Sequence, residues 1–133
     1  MKICVVGGSG YVGFVTGLGF AELGNEVVNI DIDEARVGQM NRGQSPIFEE
    51  GVNLSQVLHR NLDANRIRFT TKTEEGITGS EIVFIAVGTP EQEDGEADLA
   101  QVISAAEEIG RFIDSYKVLV MKSTVPVGTL DIV

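Results

Sequence analysis

Lys2-Ile3-Cys4-Val5-Val6-Gly7-Gly8-Ser9-Gly10-Tyr11-Val12-Gly13 opens the chain, and Glu26-Val27-Val28-Asn29-Ile30-Asp31 follows. After Lys2 the run Ile3 to Val6 is apolar and rich in β-branched side chains, as a buried strand requires. A glycine turn comes next, then a helix-like segment ending near Leu23-Gly24-Asn25. The second apolar run reads as another strand and stops at an acid, Asp31. Strand, glycine turn, helix, strand and acid is the order of a dinucleotide-binding unit. In the spacing Gly8-x-Gly10-x-x-Gly13, Gly8 is assigned the sharp turn. Gly10 is assigned the close approach to a pyrophosphate, and Gly13 the contact between helix and sheet. Free N–H groups at the helix start attract phosphate charge, and the helix dipole adds to that attraction. Asp31 is placed to accept from adenosine ribose hydroxyls and to repel a 2′-phosphate, so NAD is the expected cofactor. Gly7-x-x-Gly10-x-x-Gly13 fits the same residues, and nucleotide-sugar epimerases of the short-chain type carry that spacing.

Outside this stretch, strands and helices alternate. Helix-like segments are expected at Asp33–Met40 and across Val52, Leu54, Val57, Leu58 and Leu62. A short one opens at Thr73, a candidate cap, and a long one runs from Leu99 to Ile113. For that last helix Asp98 and Gln101 suggest a capping box. Its expected sheet-facing stripe is Ile103, Ala106, Ile109, Gly110 and Ile113. Strands are expected at Ile67–Thr71, Glu81–Val87 and Lys117–Met121, with Pro126 starting a further helix. Glu81–Val87 is apolar on both faces, as in a central parallel strand. The fold class is therefore α/β: a Rossmann-type, doubly wound parallel sheet with helices on both faces. Ligands of such sheets lie beyond the carboxyl ends of the strands, where Ser9, Asp31, Thr89, Ser123 and Thr124 fall.

Length and charge bound the function. The chain has 133 residues, which suits one domain and not two. A net charge of −10 disfavours nucleic acid and anionic membranes as partners. It also repels an anionic cofactor at long range, so a phosphate site must rely on backbone dipoles. No apolar run approaches the roughly 20 residues that span a bilayer. No leader peptide is expected ahead of the first strand, and the lone Cys4 suits a reducing, cytoplasmic setting. Cys4 reads as a small buried hydrophobe. His59, with no partner at ligand spacing, reads as a surface residue, and the acidic stretch Glu91–Asp98 as a solvated loop. No metal site is expected.

Several motifs together resemble one family. They are Gly8–Gly13, Ala21–Val27, Asp31-Ile32-Asp33, Ser45-Pro46-Ile47-Phe48-Glu49 and Arg68-Phe69-Thr70-Thr71. Val87-Gly88-Thr89-Pro90, Asp94-Gly95-Glu96-Ala97-Asp98-Leu99 and Lys122–Thr129 complete the set. The chain resembles the N-terminal NAD-binding domain of UDP-glucose/GDP-mannose 6-dehydrogenases, and its Asp-Gly-x-Ala-Asp-Leu form is nearer the UDP-glucose enzymes. The resemblance implies a four-electron oxidation of a sugar C6 alcohol to an acid. The steps run through aldehyde, thiohemiacetal and thioester, and two NAD molecules are reduced. It implies that Gly8, Ser9, Gly10, Tyr11, Val12 and Gly13 meet the pyrophosphate, Asp31 the ribose and Arg36 the adenine side. Val87, Gly88, Thr89 and Pro90 contact the cofactor, with Ser123 and Thr124 near the nicotinamide. Thr124 is the candidate catalytic residue, holding a water or alcohol oxygen.

The glycine loop holds one residue more than the family's usual loop, and the family's catalytic cysteine, lysine and asparagine lie in a later domain. Residues 1–133 are thus expected to be the NAD-binding part of a longer dehydrogenase in polysaccharide and nucleotide-sugar metabolism, inactive alone, with a UDP-sugar substrate and a homo-oligomeric full-length form. GDP-mannose and UDP-N-acetylhexosamine remain alternative substrates, and a non-catalytic NAD-binding regulatory module is a further alternative. The epimerase reading needs Tyr-x-x-x-Lys. Tyr11 is followed by Val15 and Tyr116 by Val120 at the lysine position, so neither qualifies.

Overall fold

The computed structural model describes all residues from Met1 to Val133. Five parallel strands lie in the order β3-β2-β1-β4-β5. They are β1 (Lys2–Val6), β2 (Glu26–Ile30), β3 (Ile67–Thr70), β4 (Ile82–Ile85) and β5 (Val118–Met121). Between them run α1 (Tyr11–Glu22), α2 (Glu34–Asn41), α3 (Leu54–Asp63), α4 (Thr73–Ile77) and α5 (Ala100–Phe112). The expected doubly wound architecture is present, with the order reversing between β1 and β4.

The period-2 alternation of β1 explains the two cores. Ile3 and Val5 face one side, with Phe14 and Leu18 of α1, Met40 of α2 and Leu58 of α3. Cys4 and Val6 face the other, with Ile77 of α4 and Ala105 and Ile109 of α5. Each fully buried apolar side chain of this size contributes about 1.5–3 kcal/mol. α1 ends in a Schellman turn: Gly24 has φ +91° and its N–H donates to the Ala21 carbonyl, while Asn25 N–H donates to Phe20. β5 has one strand neighbour, and Val118 and Leu119 each keep 44% of their surface exposed.

Some local expectations fail for identifiable reasons. On α5 the buried residues are Val102, Ala105 and Ile109, whereas Ile103 and Ile113 are exposed. Apolar residues stand at 102/103, 105/106 and 109/110, so two stripes one residue apart fit the same spacing. The capping box of α5 is absent as such: Leu99 is the N-cap and Asp98 accepts from Ala100 N–H at 2.9 Å. Lys72, not Thr73, is the N-cap of α4. Asn53 caps α3 through a bond from Gln56 N–H, leaving Val52 outside the helix. Pro126 leads into a turn closed by Thr129 rather than into an α-helix. The Glu91–Asp98 segment is a small hairpin, with a Glu91–Ala97 bridge and Gly95 at φ +87°. His59 is exposed, its ring lying over Gly43.

Cys4 is fully buried, and burial pushes its thiol up to about 12. A thiol held neutral is unreactive. Iodoacetamide at neutral pH is expected to leave the folded chain unlabelled and to label one thiol after denaturation. Labelling of the folded chain at the denatured rate would contradict the packing.

The α5–β5 connection is held by Lys117. Its side chain is 1% exposed, and its ammonium lies 2.6 Å from Asp114 Oδ1 and donates to the Ser80 carbonyl at 2.9 Å. Asp114 Oδ2 accepts from Gly79 N–H. The Lys117 ammonium chiefly, with the Gly79 N–H, lowers the Asp114 carboxyl from 3.8 to about 2. A carboxyl lowered by folding stabilises the fold above its unfolded value, and that stabilisation disappears as pH falls through the folded value. Between pH 3.8 and about 2 the parent chain should therefore lose stability more steeply than Asp114→Asn. Parallel profiles in acid titrations followed by circular dichroism would refute this.

Candidate functional site

The loop after β1 is shaped by contacts that exclude side chains. Gly7 has φ +84°, and a Cβ on it would sit 2.6 Å from the Ala86 carbonyl oxygen. The sharp turn assigned above to Gly8 therefore belongs to Gly7. Gly8 must be glycine for another reason: its Cβ would lie 2.5 Å from the Asn29 Cβ. A Cβ on Gly13 would run into the Gly7 carbonyl oxygen and lie 3.0 Å from Gly8 Cα, so α1 rests directly on the loop. Gly10 has φ −70°, with the nearest obstacle to a Cβ at 3.5 Å. The fold does not demand glycine there; the open space above it suits a close-lying ligand.

The start of α1 carries no acid in its first turn and no side-chain cap. The N–H groups of Tyr11, Val12 and Gly13 have no acceptor in the chain. They point, with the positive end of the helix dipole, at any anion placed there. Asp31 follows directly on the end of β2. Its Oδ2 accepts from Ser9 N–H at 2.9 Å and its Oδ1 from Asp33 N–H at 3.1 Å. An ionised carboxylate has about four acceptor sites, so two remain for a ligand's hydroxyls.

Asp31 and the Ser9-Gly10 end of the loop share one cleft of about 670 Å³. Ser9, Gly10, Asp31, Arg36, Val87 and Gly88 line it, together with Gly7. Gly8 and Gly13 are buried behind it, and Tyr11 and Val12 are exposed beside it. Arg36 pairs with Asp33 at 3.4 Å. The Tyr11 hydroxyl donates to Glu49 at 3.2 Å, tying the loop before α3 to the start of α1.

Thr89, Pro90, Ser123 and Thr124 form a second group at the ends of β4 and β5, outside that cleft. Ser123 Oγ donates to the Val87 carbonyl at 2.8 Å, and Thr89 Oγ1 to the Thr124 carbonyl at 2.9 Å. Two strand ends are thereby stitched together, and the Thr124 side chain stays exposed. Gln101, Ser104 and Glu108 of α5 also line the cleft; the sequence reading takes Gln101 only as half of a capping box and does not place Ser104 and Glu108 at a site. Their i, i+3, i+7 spacing is a polar stripe beside the buried one, the signal that would have found them. No three His, Cys, Asp or Glu side chains converge as metal ligands would.

A Rossmann sheet, an uncapped glycine-rich helix start and an acid at the end of β2 define a dinucleotide-binding domain. The sequence pattern of the UDP-glucose/GDP-mannose dehydrogenase family, NAD binding domain, matches residues 1–133, and the chain belongs to that family. It is 48% identical over 131 residues to a UDP-glucose 6-dehydrogenase of Pseudomonas aeruginosa. That match covers 98% of this chain and 28% of the relative. Among solved structures, a ternary complex of GDP-mannose dehydrogenase from Pseudomonas aeruginosa superposes with a TM-score of 0.92 at 34% identity. It covers 98% of this chain and 30% of that one. UDP-N-acetyl-mannosamine dehydrogenase Cap5O of Staphylococcus aureus gives 0.88 at 29% identity, over 98% of this chain and 31% of its own. The chain thus spans less than a third of the length of these relatives. No helix is long and apolar enough to cross a membrane.

Proposed function

We propose that this chain is the NAD-binding domain of a UDP-glucose 6-dehydrogenase whose substrate domain and catalytic cysteine lie outside residues 1–133. The observation that carries the reading is the row of unpaired N–H groups at the start of α1, together with an Asp31 carboxylate that keeps free acceptor sites. The residues fit NAD. Ser9, Gly10, Tyr11 and Val12 offer backbone to the pyrophosphate, and the space over Gly10 admits it. Asp31 accepts from the adenosine ribose, and Arg36 flanks the adenine. Val87–Pro90 leads from the cleft toward Ser123 and Thr124, where the nicotinamide end belongs. Bound NAD supplies a hydride acceptor. Thr124 then holds the reacting alcohol or water oxygen through its exposed hydroxyl.

UDP-glucose is favoured over GDP-mannose by the 48% identity to a UDP-glucose enzyme against 34% to the GDP-mannose one. The full-length protein oxidises UDP-glucose to UDP-glucuronate with two NAD, in the cytoplasm and as a homo-oligomer. Residues 1–133 alone bind NAD and do not turn over. The test is to mix the isolated chain, and the full-length protein, with NAD and UDP-glucose and to follow NADH absorbance. Production by the full-length protein only is expected. NADH from the isolated chain would refute the division of labour, and full-length activity on GDP-mannose instead of UDP-glucose would refute the substrate.

A further inference from the structure

Asn29 is the one polar residue in β2's buried run, 0% exposed, between Val28 and Ile30. Its Nδ2 donates to the Gly8 carbonyl at 3.0 Å and to the Gly13 carbonyl at 3.4 Å. Its Oδ1 is buried without a hydrogen-bond partner. A buried carbonyl oxygen without a donor gives up its hydration with nothing in return. A valine here would remove the orphaned oxygen but leave the buried Gly8 carbonyl without its donor, so the amide serves the glycine loop rather than the packing of the sheet. The amide orientation is set by its surroundings: rotated, Oδ1 would face two carbonyl oxygens.

Peptide geometry links this amide to the cleft. The Gly8 carbonyl and the Ser9 N–H belong to one trans peptide and point in opposite directions. Drawing the carbonyl inward onto Asn29 turns the Ser9 N–H outward, where it meets Asp31 Oδ2 at 2.9 Å. A hydrogen-bonded chain thus runs from the core through the loop to the acid of the ribose site. The bond to Gly13 holds the far end of the same loop. α1 lies so low on Asn29 that a Cβ on Gly17 would run into Oδ1.

We propose that Asn29 is a positioning residue for cofactor binding: its buried carboxamide sets the peptide orientation of the glycine loop so that the loop can accept a pyrophosphate. The inference rests on the NAD-site reading above.

The test is calorimetric titration of the parent chain and Asn29→Val with NAD and with adenosine, which lacks the phosphates. Asn29→Val should bind NAD about tenfold more weakly, the loss of a hydrogen bond worth about 1.4 kcal/mol. Adenosine, held by Asp31 and the adenine side, should lose less than about threefold. Equal losses for both ligands, or unchanged NAD binding, would overturn the role. A second measurement needs no substitution. In the parent chain the Asn29 side-chain N–H protons should exchange slowly with solvent and shift in NMR spectra on adding NAD but not adenosine. Fast exchange, or no shift with NAD, would overturn the role even if Asn29→Val fails to fold. A parent chain that does not bind NAD would instead refute the site reading.

Discussion

Asp31→Ala is expected to weaken NAD binding about thirtyfold, because hydrogen bonds to a charged acceptor contribute about 1.5–3 kcal/mol. Two effects add. The ribose hydroxyls lose their acceptor, and the Ser9 N–H loses the partner that holds it at 2.9 Å. The fold itself should survive. Asp31 lies just past the end of β2, half-buried, and its alanine leaves the two cores intact. Calorimetric titration and thermal unfolding of the same sample separate the two outcomes. A loss of affinity below about threefold would remove Asp31 from the site. The variant should also lose its preference for NAD over NADP, since the repulsive carboxylate is gone.

Gly13→Ala should damage fold and site together. The added methyl meets backbone on every side: the Gly7 carbonyl oxygen, its carbon at 2.8 Å and Gly8 Cα at 3.0 Å. Backbone cannot swing aside as a side chain does, so α1 must lift from the loop. Overpacking of this kind costs about 1–3 kcal/mol, and here it also spoils the aim of the α1 N–H groups. The urea midpoint should fall and NAD binding should drop below detection. Gly10→Ala is the contrast. Its methyl finds nothing nearer than 3.5 Å and φ is −70°, so the urea midpoint should stay while NAD affinity falls. A Gly13→Ala chain that unfolds at the parental midpoint would contradict the close approach of α1 to the loop.

The architecture was readable in the sequence because its strongest signals are simple. β1 and β2 are short β-branched runs, the central strand β4 is apolar on both faces, and a helix-length stretch separates each pair. What failed was one-residue detail. Gly7-Gly8-Ser9-Gly10 contains two overlapping spacings, and only the positive φ at Gly7 and the Asn29 wall behind Gly8 separate them. On α5 the doubled apolar positions hid which stripe packs, and with it the polar stripe of Gln101, Ser104 and Glu108 that lines the cleft. The site residues split in the same way. Ser9, Gly10, Asp31 and Arg36 meet in one cleft because a strand end and the start of the following helix bring them there. Thr89 and Thr124, 35 residues apart, are joined by the pairing of β4 with β5, which local spacing does not encode. Asn29 looks from its spacing like one more strand residue; its role depends on the two carbonyls above it.

The most direct measurement is calorimetric titration of the parent chain with NAD and, separately, NADP under the same conditions. With Asp31 at the ribose and the loop N–H groups at the pyrophosphate, saturable NAD binding is expected, with NADP at least about tenfold weaker. Equal affinity for the two, or no NAD binding by a folded chain, would contradict the assignment of this cleft.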